Sequence, residues 1–137
     1  MAPTFPGQQE DDADYILRVP AIQNFNGSDF SVRIPLTGEI REEISDFEPD
    51  IIHSHHPFLL GDSAVRMSRL LGTPLIFTHH TRYEQYTHYV PLDSPALKRF
   101  VSDLATEYAN ICNQVIAPSH GIKKLIHKRG VRSSFTV

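Results

Sequence analysis

The sequence predicts an α/β fold built on a parallel sheet, and two observations carry that prediction. Short apolar runs begin at Ile51, Leu75 and Val115, and such runs are typical of strands that are buried on both faces. Each run is followed by a segment with apolar residues at helical spacing. Strands and helices that alternate with short connections indicate right-handed βαβ units and therefore a parallel sheet.

The first third of the chain gives weaker signals. An acidic loop is expected up to Asp14, followed by short strands over residues 15–19 and 30–34 and by a helix over residues 37–47. Glutamates at positions 39, 42 and 43 favour the first turns of that helix through its dipole. Residues 1–48 are therefore interpreted as irregular loop, short strands and one helix.

The βαβ pattern is regular over residues 49–130. Strands are predicted over residues 51–54, 75–78 and 114–117, and a further strand is expected to begin within residues 131–137. Helices are predicted over residues 61–71, from Ser94 or Pro95 to about Ile111, and from a cap at Ser119 to about Lys128, with Gly130 ending the last one. The predicted buried faces consist of Leu60, Ala64, Met67, Leu70 and Leu71 in the first of these helices, and of Leu97, Val101, Leu104, Ala105, Tyr108 and Ile111 in the second.

Composition limits the class of protein. A chain of 137 residues is one domain at most, and three core strands make a thin sheet, so residues 1–137 are expected to be one partial domain. The net charge of -3 gives no argument for nucleic acid as a partner. A single cysteine, Cys112, excludes an internal disulfide and fits a reducing compartment. No apolar stretch approaches the roughly 18 residues that span a bilayer, and no signal peptide is recognised, so a cytoplasmic location is expected.

Histidines are concentrated after two of the predicted strands. Of the eight histidines, six lie from His53 to His88, and His55 and His80 follow the first and second core strands. If those strands are neighbours, their carboxyl ends meet at one edge of the sheet, where ligands bind in open α/β folds. An imidazole there is suited to proton transfer or to bonding a hydroxyl, because its ordinary pKa lies near neutral pH.

Three interpretations of these histidines remain open at the level of residues. His-x-His at a strand end, with Asp62 or Glu84 as a carboxylate, could bind zinc in a metal-dependent hydrolase, although no carboxylate-rich motif or His-Glu-x-x-His helix is present. The cluster could instead recognise hydroxyls or transfer protons in a sugar or phosphate crevice. Most of the histidines could also be ordinary polar residues bonded to loop backbone.

Three segments in order resemble a known family. They read DIIHSHHPF (residues 50–58), GTPLIFTHHT (residues 72–81) and VIAPS (residues 115–119). Together they resemble the N-terminal, acceptor-side domain of family 4 glycosyltransferases, which implies the two-domain GT-B fold and a Rossmann-like sheet. The segment YEQYTHY (residues 83–89) is similar to a narrower branch that transfers glucose or a related sugar from a nucleotide donor to diacylglycerol.

The resemblance implies roles for particular residues. His80 would be the catalytic residue beside the reacting sugar, and His55, Thr81 and Ser119 would lie near the same crevice; Ser119 is also the expected helix cap. On the acceptor side the resemblance places Tyr83, Glu84 and Tyr86. It implies retention of configuration, no cofactor and no metal, and a nucleotide-sugar donor such as UDP-glucose.

The sequence also departs from the family pattern. The Gly-rich turn that approaches the donor phosphates is not found, and neither is the C-terminal domain that carries most donor contacts in the family. The chain is therefore expected to be truncated at both ends and inactive alone, because transfer needs a closed cleft. The alternative is a non-catalytic interaction module or subunit that pairs with a donor-binding chain.

Basic residues collect near the C-terminal end of the sequence. Lys123, Lys124, Lys128 and Arg132, with His127 and Arg129 between them, could contact an anionic membrane surface. The alternative is a solvated helix face whose cations suit the helix C-terminus. Nucleic acid is not expected, since no aromatic platform is interleaved with these charges. Together with the resemblance, this gives an expected peripheral location at the inner face of the membrane.

Overall fold

Four parallel strands form the central sheet of this computed structural model, which describes residues 1–4, 15–19, 21–22, 32–33, 38–89 and 93–137. Two small strand pairs precede it: β1 (Ala2–Pro3) lies parallel to β2 (Arg18–Val19), and β3 (Ala21–Ile22) lies antiparallel to β4 (Val32–Arg33). The central sheet has the order β5 (Ile52–Ser54), β6 (Leu75–Thr78), β7 (Gln114–Ile116), β8 (Ser134–Thr136).

Helices connect the central strands, as the alternation in the sequence predicted. Two short 3-10 helices, Tyr83–Gln85 and Thr87–Tyr89, occupy the long connection after β6. The α-helices of the described residues are α1 (Gly38–Asp46), α2 (Leu60–Leu71), α3 (Pro95–Ile111) and α4 (His120–Lys128). None of them is long and apolar enough to cross a membrane.

The helix ends follow the local sequence signals. Ser94 accepts a hydrogen bond on its Oγ from the backbone N–H of Leu97 at 3.2 Å, and Pro95 begins α3. Ser119 caps α4 in the same way, with the N–H of Ile122 at 3.2 Å. Gly72 ends α2 with a φ of 68°, a conformation that glycine adopts without steric cost. The predicted cap at Ser119 and the predicted start of the longer helix at Ser94 or Pro95 are confirmed.

The core lies where α3 and α4 pack against the inner strands. Phe77 and Val115, which are register partners on β6 and β7, are both fully buried. Cys112 is also buried, and its thiol donates to the carbonyl of Tyr108 at 3.3 Å. Burial raises the pKa of this thiol to about 12. Around them lie Leu75, Tyr83, Ala105, Ala109, Ala117, Ile126 and Val131.

The predicted helix faces were wrong at three leucine and isoleucine positions. Leu70 on α2 is 59% exposed, and Leu104 and Ile111 on α3 are 43% and 50% exposed. The buried face of α3 is centred instead on Ala105 and Ala109, together with Thr106 and Tyr108. Small side chains allow a close approach between helix and sheet, whereas the larger Leu104 and Ile111 lie at the flank of that face.

The three predicted core strands are confirmed as β5, β6 and β7, whereas β1, which lies in the predicted acidic loop, and β3 were not predicted. β8 confirms the strand expected near the C-terminal residue, so the sheet has one strand more than the three predicted core strands. β2 is shorter than the predicted strand over residues 15–19. Most of the predicted acidic loop, and most of the predicted strand over residues 30–34, lie outside the described residues.

Gly61 marks a close approach between α2 and its neighbours. A Cβ built at this position would overlap the carbonyl oxygen of His56 and lie 3.1 Å from the ring of Tyr108. The hydroxyl of Tyr108 donates to the carbonyl of Gly61 at 3.3 Å, which ties α3 to the start of α2. The close approach therefore fixes the segment that carries His55 and His56 against the core.

We expect Gly61→Ala to destabilise the protein by about 2–4 kcal/mol, because backbone rather than a flexible side chain must move. Gly121→Ala is the matched control on α4, where the nearest atom to a new Cβ is Ser119 Oγ at 3.7 Å. That control should be neutral or stabilising by up to about 1 kcal/mol. Urea unfolding of both variants measures the difference, and equal stabilities would contradict the packing described.

Candidate functional site

The carboxyl ends of β5 and β6 bring three histidines together. β5 and β6 are parallel neighbours, so residues that follow them emerge at one edge of the sheet. The ring centroids of His53 and His55 are 4.3 Å apart, and those of His55 and His80 are 5.9 Å apart. The convergence expected from the sequence is therefore present, and we call His53, His55 and His80 the histidine edge.

His53 is held by the neighbouring strand. Its Nε2 shares a hydrogen bond with Thr78 Oγ1 at 2.8 Å. Partial desolvation, and then the charge of His55, lower the pKa of His53. The ring is therefore biased towards its neutral form and is anchored at the base of the edge.

His80 is an exposed residue of the histidine edge, as are His53 and His55. Its Nδ1 shares a hydrogen bond with Thr81 Oγ1 at 3.0 Å, which restrains the ring in one orientation. Nε2 is then the ring nitrogen left to meet a ligand. The tautomer sets the role of this atom: protonated Nε2 donates to an acceptor oxygen, and unprotonated Nε2 accepts from a hydroxyl.

His79 has the opposite environment, although it is adjacent in sequence. Its side chain is buried between Phe77 and Tyr83, with both ring centroids at 5.5 Å. Burial, assisted by the positive charge of Arg129, lowers the pKa of His79. Its Nδ1 is the buried side-chain polar atom without a hydrogen-bond partner among the described residues. His79 is therefore a neutral core residue.

Tyr83 is a buried residue that contacts the backbone of the histidine edge at His55. Its hydroxyl donates weakly to the carbonyl of His55 at 3.4 Å, and its ring meets those of His56 and Phe58 edge-on at 5.4 Å. Burial raises the pKa of this phenol. The structure thus places Tyr83 behind the predicted site, supporting the backbone of His55.

Glu84 points away from the histidine edge towards the end of α4. Its Oε1 accepts from Arg129 Nη2 at 2.7 Å and its Oε2 accepts from Arg129 Nη1 at 3.1 Å. Burial alone would raise the pKa of Glu84, but the hydrogen bonds and charge of Arg129, with the charge of Arg82, outweigh burial and lower the pKa. A direct role of Glu84 in substrate binding stays a prediction, and its carboxylate is occupied here.

The remaining predicted residues lie at the surface. Tyr86 is 54% exposed and stacks on His88 with centroids 6.4 Å apart. Thr81 is half-buried beside His80. Ser119 is exposed and follows β7, which neighbours β6, so it lies on the same edge of the sheet as His80. The structure therefore brings together His55, His80, Thr81 and Tyr83, while Glu84 lies towards α4.

Arg129 has a partner that the sequence did not predict. It was counted among the basic residues of a free helix face, but its side chain is 21% exposed and is paired with Glu84. A basic residue near a helix C-terminus is common and gives no hint of a partner 45 residues earlier. Only the tertiary structure shows this pairing.

The carboxylates proposed as metal ligands are engaged elsewhere. Asp62 pairs with Arg66 on the exposed face of α2 at 2.7 Å, and Glu84 pairs with Arg129. Across the part of the chain that the structure describes, no group of three or more histidine, cysteine, aspartate or glutamate residues could hold a metal ion. The alternative of a metal-dependent hydrolase therefore has no support.

Comparison with known proteins decides the family. The profile of Glycosyltransferase Family 4 matches residues 1–137. The chain belongs to glycosyltransferase family 4. The family predicted from the three sequence segments is confirmed, and the parallel sheet with flanking helices agrees with it.

Two relatives of this family 4 chain illustrate the range of activities. An alpha-monoglucosyldiacylglycerol synthase from Streptococcus pneumoniae is 29% identical over 111 residues, covering 81% of this chain and 25% of the relative. A GDP-mannose-dependent alpha-mannosyltransferase from Corynebacterium glutamicum is 29% identical over 131 residues, covering 86% of this chain and 30% of the relative.

A further relative and the solved structures complete the comparison. An alpha-monoglucosyldiacylglycerol synthase from Acholeplasma laidlawii is 28% identical over 78 residues, covering 53% of this chain and 20% of the relative. The chain thus spans less than a third of the length of these curated relatives. No solved structure matches it significantly.

Acid should destabilise the protein partly through His79. Because its pKa in the folded state lies below the ordinary 6.5, the unfolded chain takes up the proton first as the pH falls. The contribution of neutral His79 to the unfolding free energy is fully present above about pH 6.5 and is lost as the pH falls through the folded-state pKa. We expect His79→Phe, which keeps the contacts with Phe77 and Tyr83, to reduce the loss of unfolding free energy between about pH 7 and 5.

Urea unfolding at a series of pH values measures this dependence. His120→Phe is the matched control, because it removes one imidazole from an exposed position at the start of α4. If His79→Phe and His120→Phe showed the same slope of unfolding free energy against pH, His79 would not be the buried titrating group.

Proposed function

We propose that this chain forms the acceptor side of a glycosyltransferase that moves a hexosyl group from a nucleotide-sugar to a lipid hydroxyl, such as that of diacylglycerol. The observation that carries the proposal is the histidine edge, in which the exposed His80 lies 5.9 Å from His55 at the carboxyl ends of two parallel strands. Family membership supports sugar transfer. The names of two relatives support diacylglycerol lipid as the acceptor class.

The chemistry expected at His80 is hydrogen bonding at the reaction centre. Its Nε2 would bond an oxygen of the sugar or of the acceptor, while the contact between Nδ1 and Thr81 holds the ring. His55 and Tyr86 would contact the acceptor nearby, and Ser119 would present the start of α4 to the same crevice. The transfer would retain the configuration of the sugar, as the family resemblance implies, and would use no cofactor.

The proposed donor is a nucleotide-sugar, and its sugar is not assigned. The relatives include synthases named for glucose and a transferase named for mannose, so UDP-glucose is the first donor to test rather than an assignment. We propose that a separate donor-binding part supplies the opposite wall of the cleft, because transfer requires both substrates to be held together. Without that wall the chain would bind acceptor but transfer nothing.

An interaction module that binds a donor-binding chain is the competing proposal. It would use the same surface for a protein partner, and it would give the histidine edge no contact with substrate. The orientation of His80 by Thr81 favours the substrate-binding proposal, because a ring held at one nitrogen leaves the other directed to a ligand.

We also propose that α4 contacts an anionic membrane surface, so that the protein acts peripherally at the inner face of the membrane. Lys124 and Lys128 are exposed on α4, Lys123 is half-buried there, and Arg132 is exposed just beyond it. Arg129 does not contribute to this surface, because it pairs with Glu84. The four remaining cations suit lipid head groups of opposite charge.

The acceptor proposal predicts saturable binding of 1,2-dioctanoylglycerol, a soluble short-chain diacylglycerol, with shifts in the imidazole signals of His80 and His55. His80→Ala should weaken this binding by about tenfold, the upper range for loss of one neutral hydrogen bond. His127→Ala is the matched control, because His127 packs near Phe135 at 6.3 Å, away from the histidine edge. NMR titration measures both, and binding that His80→Ala leaves unchanged would refute the role of His80.

The membrane proposal predicts binding to vesicles that contain phosphatidylglycerol and none to pure phosphatidylcholine. Replacing Lys123 and Lys124 by glutamate should weaken binding at least about tenfold, since each basic residue near the surface contributes ~1 kcal/mol, and added salt should weaken it further. Arg99→Glu, at an exposed position on α3, is the control for charge reversal away from α4. Sedimentation with vesicles measures the binding, and an equal effect of Arg99→Glu would show that net charge alone matters.

A further inference from the structure

We propose that Arg129 is a positioning residue, which holds the segment after β6 through Glu84 and thereby sets the place of His80. The proposal deepens the proposed function and rests on it, since it concerns the same histidine edge. It starts from the two hydrogen bonds between Arg129 and Glu84, at 2.7 and 3.1 Å. A guanidinium bound to a carboxylate through two parallel hydrogen bonds fixes both distance and orientation.

Arg129 is itself anchored at a rigid helix end. Its backbone N–H donates to the carbonyls of Leu125 and Ile126 at 3.2 and 3.1 Å, which closes the last turn of α4. Gly130 follows with a φ of 99°, and the buried Val131 then leads into β8. The guanidinium thus extends from a point that the core already fixes.

Glu84 belongs to a segment with little regular structure of its own. The 3-10 helix Tyr83–Gln85 is a single short turn, and Thr87 Oγ1 donates to the carbonyl of Glu84 at 3.2 Å. Tyr83 holds one side of this turn in the core, and the bond to Arg129 holds the other side. His80 lies only a few residues before the turn, so its place depends on where the turn is held.

Burial and charge favour positioning over substrate binding for this pair. The side chains of Glu84 and Arg129 are 15% and 21% exposed, and each offsets the charge of the other. Arg82 also reaches Glu84, but at 3.3 Å and from a side chain that is 48% exposed, so it holds the carboxylate less firmly. If the pair separated, each largely buried charge would lose its partner. The free-energy cost of that loss favours the paired arrangement.

The test compares Arg129→Lys and Glu84→Gln with the wild-type chain in the absence of sugar and lipid. Arg129→Lys keeps the positive charge and loses the pair of parallel hydrogen bonds. Glu84→Gln keeps the shape of the side chain and removes its charge. It tests the same proposal if Arg129→Lys fails to fold. Arg132→Lys is the matched control, an exposed arginine three positions further on. The readouts are the imidazole signals of His80 and His53 and amide hydrogen exchange.

Positioning predicts that both variants shift the His80 signals and leave those of His53, bonded to Thr78, as in the wild type. It also predicts amide exchange about tenfold faster within Tyr83–Gln85, while the amide of Phe77 in β6 stays protected. A lower melting temperature with unmoved His80 signals would overturn the proposal, because the pair would then be only structural. Unchanged His80 signals and exchange rates would overturn it as well.

The outcome is separate from that of the acceptor titration. If His80 moves in these variants but dioctanoylglycerol never binds to the wild type, Arg129 positions the histidine edge and the proposed function fails. If dioctanoylglycerol binds and His80 does not move, the proposed function stands and the role of Arg129 fails.

Discussion

The parallel pairing of β5 with β6 is the constraint on which the histidine edge depends. Ser54 lies opposite Phe77, and Phe77 is fully buried, so the packing of one phenylalanine determines which residues of both strands face the core. A register shift of one residue would exchange the two faces of β5 and move His53 away from Thr78. The strands are only three and four residues long, so the side chains that follow them remain close to this fixed register.

Adjacent histidines acquire different chemistry from their surroundings alone. His79 is buried between aromatic rings and is held neutral, whereas its neighbour His80 is exposed and restrained through one nitrogen. Alternation along the chain as it leaves β6 sends one ring into the core and the next to the edge. His79 is therefore an ordinary core residue, whereas contact of His80 with a ligand stays a prediction, although both belong to the same sequence motif.

Sequence signals were sufficient wherever the cause was local. Short sequence patterns and the geometry of parallel sheets account for the four central strands, the cap at Ser119 and the convergence of His55 with His80. The exposed Leu104 on α3 was mispredicted because alanines define the buried face, and alanine gives a weak hydrophobic signal. The pairing of Glu84 with Arg129 joins parts of the chain that no local pattern connects, so it required the structure.

The buried thiol of Cys112 can report on transient separation of α3 from the sheet. It is the single cysteine in the sequence, and it is enclosed by the core beside Tyr108 with its pKa raised to about 12. Thiolate, the form that reacts with alkylating reagents, is thus suppressed and shielded in the native state. The rate of modification of Cys112 therefore measures how often α3 separates from the sheet, without any added label.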